Sequence, residues 1–197
     1  SVFSLMPRPM YNSDDGFGLR GNAEIPMGKS GEAYFDYKWY FKSGFKPQIG
    51  YRHYLPWGTA SIGYSKESNE YNDETVWIEK IGEFRIDTHA YHIGKSPITV
   101  RGGASIGYWK EGFVKGAHKG YQAEVSHDPI TLWKDGTLRL YGGYQRDYYS
   151  YDKSIRSMPY WGAQFRTKVG SRVNAWASYN QRNINYNNSP YLFDSTE

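Results

Sequence analysis

The stretch Glu32-Ala-Tyr-Phe-Asp-Tyr-Lys-Trp-Tyr-Phe-Lys42 decides the fold. Ala33, Phe35, Tyr37, Trp39 and Phe41 hold one set of alternate positions, and Glu32, Tyr34, Asp36, Lys38, Tyr40 and Lys42 hold the other. Side chains on a strand point to opposite faces with a period of two, so the run has one apolar and one polar face. A helix would scatter Asp36 and Lys38 among the rings. The run is also as long as a tilted strand needs to cross a bilayer's hydrocarbon, roughly 9–11 residues. It predicts one stave of an antiparallel transmembrane β-barrel of outer-membrane type. Lipid lies against Phe35 and Trp39, and water against Asp36 and Lys38.

Composition agrees. The chain has 197 residues, enough for one β-barrel region over 1–197, with 39% hydrophobic residues and a mean hydropathy of −0.78. No window approaches the 18 consecutive apolar residues of a membrane helix. Aromatic residues reach 18%, with 20 Tyr and 22 Gly, as expected where apolar residues fill alternate positions and aromatic girdles mark both interfaces. Cysteine is absent, which excludes disulfides and thiolate metal sites. The net charge of +4 is spread singly among aromatics and acids, without the basic block that nucleic-acid binding would use. No signal peptide is present, and Ser1 does not read as a natural start.

The same alternation recurs: Phe17 to Met27, Ile49 to Leu55, Thr59 to Ser65, Glu83 to His92, Ile98 to Tyr108, then around Tyr121–Val125, Leu138–Tyr144, Trp161–Phe165 and Val173–Tyr179. With a proline-bearing first segment, Ser1 to Tyr11, this makes about eleven strands. Short connections (28–31, 56–58, 94–97, 134–136, 169–171) are expected to alternate with longer ones (66–75, 110–119, 148–158, 184–190), as periplasmic turns alternate with outer loops. An odd count and the ending Asp194-Ser-Thr-Glu197 suggest part of a larger barrel, since single-chain bacterial barrels normally have an even number of strands.

Single residues that carry chemistry are few. His89 and His92 lie three apart, hence on opposite faces of a strand, and cannot share an ion. His53, His118 and His127 have no neighbouring ligand pattern. His127-Asp128 is the best acid–base pair on offer but is unremarkable for a chain of this size, and Asp14-Asp15 reads as turn chemistry. Neither catalysis nor a metal site is expected, and no cofactor. The predicted lipid-facing residues are Phe35, Trp39, Ile62, Ile106 and Phe165. The predicted lumen lining is Asp36, Lys38, Arg52, Arg85, Arg101, Arg139, Arg166 and Lys168, joined by Arg172. Cations outnumber Asp36, Glu83, Asp87 and Glu124, which suits a path for something anionic, since the planar fork of Arg matches phosphate.

Several stretches together resemble the lipopolysaccharide-assembly barrel family (LptD, the organic-solvent-tolerance protein). They are Met6-Pro-Arg-Pro-Met-Tyr11 followed by Gly16-Phe-Gly18, Ile78-Glu-Lys-Ile-Gly-Glu-Phe-Arg-Ile86 with Gly82 where Pro is usual, and Asn188-Ser-Pro-Tyr-Leu-Phe-Asp194. The resemblance implies a bacterial outer-membrane translocon, about 26 strands in full, that places lipopolysaccharide in the outer leaflet. A lipoprotein plug and a periplasmic bridge protein would be its partners. The alternative is a porin or small anion channel. Lateral release of a lipid needs a weak seam. Pro7, Pro9 and Pro26 each lack a ladder donor and are the expected gate, each lost hydrogen bond being worth about 0.5–1.5 kcal/mol.

Overall fold

The computed structural model describes residues 6–71, 74–170, 173–183 and 189–194. Thirteen strands form one antiparallel sheet. They are β1 (Arg8–Asn12), β2 (Gly16–Met27), β3 (Gly31–Tyr40), β4 (Gly44–Leu55), β5 (Gly58–Tyr71), β6 (Glu74–Thr88), β7 (Tyr91–His92), β8 (Ile98–Glu111), β9 (Val114–His127), β10 (Ile130–Trp133), β11 (Gly136–Tyr149), β12 (Ile155–Val169) and β13 (Val173–Arg182). Eleven of them follow one another as a meander, while β7 flanks β8 and β10 flanks β11. Among the described residues β1 and β13 are free edges, so the sheet curls without closing. The only helical turn among them is Leu192–Asp194.

Register fixes the faces. Phe35 stands opposite Ala23 and Ile49, Trp39 opposite Leu19 and Phe45, Ile62 opposite Tyr51 and Phe84. Ile106 stands opposite Phe84, and Phe165 opposite Leu138 and Ala177. Paired residues of an antiparallel ladder share a face, so these five lie on one apolar surface. Trp39, Phe45, Ile49, Ile62, Phe84 and Ile106 are each largely exposed on it. Buried rings in a soluble protein would not be left out in this way, and a contiguous apolar surface of this extent needs lipid or a partner.

The belt has measurable edges. On β8 the outward set runs Ile98, Val100, Gly102, Ala104, Ile106, Tyr108, then Lys110. Ile98 to Tyr108 spans about 33 Å along the strand, hence ~25 Å at the usual tilt, the height of an outer-membrane apolar band. Tyr64, Tyr108, Tyr121 and Tyr144 cap it, and the next outward positions are Lys66, Lys110, Lys119 and Arg146. This is an aromatic girdle followed by charge. The outer surface of this sheet therefore contacts a lipid bilayer.

Three expectations need correction. The polar runs 66–75 and 110–119 are not loops: β5 and β6 stay paired to Tyr71↔Glu74, and β8 and β9 to Glu111↔Val114. Strands rise past the belt into water, where both faces can be polar and the alternation vanishes from the sequence. The longer connections lie at the other end, around β7 and β10. Residues 171–172 and 184–188, with Arg172 and Asn188 among them, lie outside the described residues.

The three prolines also do not line one seam. Pro7 precedes β1, Pro9 faces Leu19, and Pro26 faces Glu32 across the other side of β2. Pro26 is thus seven rungs from the rung that holds Pro9.

Gly82, which departs from the proline of the resemblance, has a structural reason. Its φ is +61°, and it sits in a bulge where register shifts between Ile81 and Phe84. Proline is held near −65° and cannot take its place. The extra residue resets the alternation, so Ile78 turns to the inner face while Ile81 and Phe84 both stay outside. On the inner face Tyr34 lies across Gly50 and Gly63, whose added Cβ atoms would come within 2.5 and 2.9 Å of its hydroxyl. Rings lying flat over cross-strand glycines account for part of the joint abundance of Tyr and Gly.

Two outcomes are expected. Gly82→Ala costs about 1–2 kcal/mol for the left-handed backbone, and Gly82→Pro abolishes the folded, heat-modifiable band on a cold detergent gel; an unaltered band for the proline variant refutes the bulge. In lipid vesicles, single cysteines at 36 and 38 react with a water-soluble maleimide while those at 35 and 106 are protected. The inverse pattern would reverse the two faces.

Candidate functional site

The inner face carries the polar side chains. Asp36, Lys38, Arg52, Arg85, Arg101, Arg139, Arg166 and Lys168 all occupy it, opposite Gln48, Lys46, Ser61, Ser61, Glu124, Gln164, Thr137 and Asn174 respectively. In the middle of the wall the charges are paired. Arg52 meets Glu32 at 2.6 Å, Arg85 meets Asp87 at 2.6 Å, and Arg101 meets Glu124 at 2.9 Å. Tyr160 donates to the same Glu124. Among the described residues Lys38, Arg139, Arg166 and Lys168 have no carboxylate partner at ion-pair distance.

Upper strands on this face form a buried cluster that sequence reading missed. Ile78, Trp109, Tyr149 and Tyr191 pack together, with Tyr191 arriving from residues 189–194, which fold back onto the inner wall. Glu111 accepts hydrogen bonds from the backbone N–H groups of Leu192 (2.9 Å) and Phe193 (3.0 Å). Tyr191 donates to the carbonyl of Trp109 at 3.0 Å. Asp194 accepts from Tyr149 and, at 3.1 Å, from Arg156. Phe193 also lines a hollow walled by β1 to β5, so this one segment touches both halves of the sheet.

His118 and Asp147 sit beneath that segment. His118 Nε2 is 3.0 Å from Asp147, its ring stacks on Trp109 at 3.8 Å, and both residues are buried. With Asp194 they place three metal-type donors within 4.8 Å of one another. The carboxylates are already engaged, Asp147 by Gln145 at 3.0 Å and by Arg156 at 3.6 Å, and Asp194 by Arg156 and Tyr149. The fixed guanidinium supplies the counter-charge that an ion would otherwise bring. No spacing rule could have found the group, because its members come from β9, β11, β12 and the inner segment.

The other histidines resolve simply. His92 contacts Asp128 at 2.9 Å, and His127 meets the Asp128 carbonyl at 2.7 Å, so the His127-Asp128 pair is not an acid–base couple. Asp15 turns to Lys46 at 3.3 Å. The expectation that the chain is not an enzyme, which weighed His127-Asp128 as the best acid–base pair, is withdrawn: the buried His–carboxylate pair is His118–Asp147, of the kind used in general acid–base chemistry.

No known family and no curated protein matches the chain. Among solved structures the sheet is similar to OmpTΔL8, a loop L8 deletion mutant of OmpT, an outer membrane protein of Vibrio cholerae. The TM-score is 0.47 at 10% identity, over 86% of this chain and 58% of that one. The chain thus spans a little over half the length of that protein. The ~25 Å belt, the girdle and the antiparallel meander are those of the bacterial outer membrane.

Burial, with Asp147 beside it, pushes the Asp194 carboxyl up to about 7, while His118 and Lys80 act in the opposite direction. An acid whose folded pKa is raised binds more protons folded than unfolded, so docking is favoured at low pH and weakens as pH rises from about 4 through 7. Limited proteolysis of residues 189–194 is expected to accelerate several-fold between pH 5.5 and 8.5, and Asp194→Asn to flatten that dependence. Equal rates at both pH values in the parent protein would refute it.

Proposed function

We propose that the chain is part of the wall of a large outer-membrane barrel that passes an anionic amphiphile, lipopolysaccharide, towards the outer leaflet. One observation carries this reading: the lipid-facing belt backs directly onto an inner face on which Arg52, Arg85 and Arg101 are paired with carboxylates, while among the described residues Lys38, Arg139, Arg166 and Lys168 are not. Unpaired cations on a curved wall set up a positive potential that concentrates anions, and Arg forks suit phosphate oxygens. The resemblance of Met6–Tyr11 and Ile78–Ile86 to the lipopolysaccharide-assembly barrels supplies the lipid's identity. A lipoprotein plug and a periplasmic bridge would be the corresponding partners. Strands outside this chain would complete the barrel.

A diffusion pore is the second reading, because a wet, ion-paired inner wall serves a porin equally well. Planar-bilayer recordings of the full-length protein separate the two. The translocon predicts no steady current until a plug partner or the inner segment is displaced, followed by an anion-selective reversal potential under a salt gradient. Arg139→Glu with Arg166→Glu then shifts that potential towards cations. Steady, open currents from the protein alone favour the porin, and cation selectivity of the parent protein sinks the anion-path reading.

A further inference from the structure

A single rung of the inner face holds four cations in a row. Arg8 stands opposite Arg20, Arg20 opposite Lys38, and Lys38 opposite Lys46, across β1, β2, β3 and β4. Directly opposed residues of an antiparallel ladder have Cβ atoms about 4.5–5.5 Å apart, and like charges placed so are destabilising. Lys46 is neutralised by Asp15 at 3.3 Å and lies over the Tyr40 ring at 4.8 Å. Arg8, Arg20 and Lys38 are exposed and, among the described residues, have no ion-pair partner. They line a hollow of about 590 Å³ in which Asp36 and Glu67 also stand, neither within ion-pair distance of them. Elsewhere on this face an acid sits across or beside each central arginine, as Glu32, Asp87 and Glu124 do. Here every directly opposed position on the rung is another cation.

We propose that Arg8, Arg20 and Lys38 form an oxyanion subsite for a phosphorylated ligand. The spacing sets its chemistry. Long cationic side chains whose Cβ atoms stand about 5 Å apart can converge on one phosphate, with the forks of Arg8 and Arg20 donating to its oxygens. The further step to Lys38 takes a second phosphate. A diphosphate, or a saccharide bearing two phosphates, matches the row, whereas a monovalent anion leaves part of the repulsion unrelieved. The assignment rests on the inner-wall reading above only in placing this face in water. It holds whether the ligand passes through or stays.

The test is pyrophosphate binding by the full chain in neutral detergent at low ionic strength, followed by thermal shift and calorimetry. Expected is binding that raises the melting temperature, with at least tenfold weaker affinity in Arg20→Gln/Lys38→Gln. The same variant, relieved of like-charge contact, should melt at or above the parent when no anion is present. The conservative pair Arg20→Lys/Lys38→Arg should retain binding. Lys29→Gln/Lys134→Gln, turn positions with the same loss of charge, should bind as the parent does. Equal binding by the Gln pair, or equal loss in the turn control, would overturn the subsite in favour of a general charge effect. A second arm uses mixed micelles holding a bis-phosphorylated glycolipid. Row-dependent binding there, but not of pyrophosphate, assigns the ligand to a lipid headgroup; row-dependent pyrophosphate binding assigns it to free phosphates. Row-dependent binding in neither arm refutes the proposal. Ion selectivity in bilayers is read separately, so the conduit can fail while the subsite stands.

Discussion

Backbone hydrogen bonding is the constraint on which the rest of the structure depends. Inside hydrocarbon no water can satisfy a free N–H or C=O, so each strand must be paired along its whole submerged length. Pairing locks register, and with a side-chain period of two a slip by one residue would exchange the two faces. Turning Asp36 and Lys38 into lipid would be costly, since a basic residue at the midplane costs roughly 2–4 kcal/mol. The ladder from Met27↔Gly31 up to Gly18↔Tyr40 is thereby held in one arrangement by solvent as much as by contacts between neighbours.

Once the outer face is committed to lipid, most charged side chains of the submerged strands fall on the inner face. That explains why charge is dense there without any one residue being special. Arg52–Glu32 and Arg101–Glu124 are partly exposed pairs, each worth at most about 1 kcal/mol, so they neutralise the wall more than they stabilise it. Where the directly opposed positions hold no acid, as along Arg8, Arg20, Lys38 and Lys46, the same geometry leaves cations side by side. The bulge at Gly82 then makes one local exception. By resetting the alternation it turns Ile78 inward, giving the inner wall an apolar spot on which Trp109, Tyr149 and Tyr191 pack.

Sequence alone made the faces legible, because Phe35, Trp39, Ile62, Ile106 and Phe165 repeat a two-residue pattern that lipid enforces. The strand ends were not legible. Above the girdle, the run 66–75 stands in water, so polarity read as loop although the ladder continues to Tyr71↔Glu74. Gly82 looked like a departure from a motif and is a left-handed bulge, a distinction that needs φ. The His118–Asp147 pair was invisible because 29 residues separate its members and only the pairing of β9 with β11 brings them together. Pro26 was grouped with Pro7 and Pro9 by residue type, whereas register sets it against β3, far from β1.

The inner segment and the wall it covers are held by different means, and this difference orders their stabilities. Neighbouring strands such as β8 and β9 share a ladder from Ile98↔His127 to Glu111↔Val114, and opening it exposes backbone to lipid. Residues 189–194 add no rung to the sheet. They are held by the Glu111 carboxylate on two N–H groups, by Tyr191 on a carbonyl, and by Asp194 against Arg156 and Tyr149. Each such bond contributes about 0.5–1.5 kcal/mol net, or up to about 3 where a charge takes part. Leaving the wall would return these groups to water and not to hydrocarbon. Local opening of this kind draws on the least stable part of a fold, so the segment can detach while every stave stays paired. Phe193 lines the hollow that also holds Arg8, Arg20 and Lys38, and its departure would widen that space on the side facing the cationic rung.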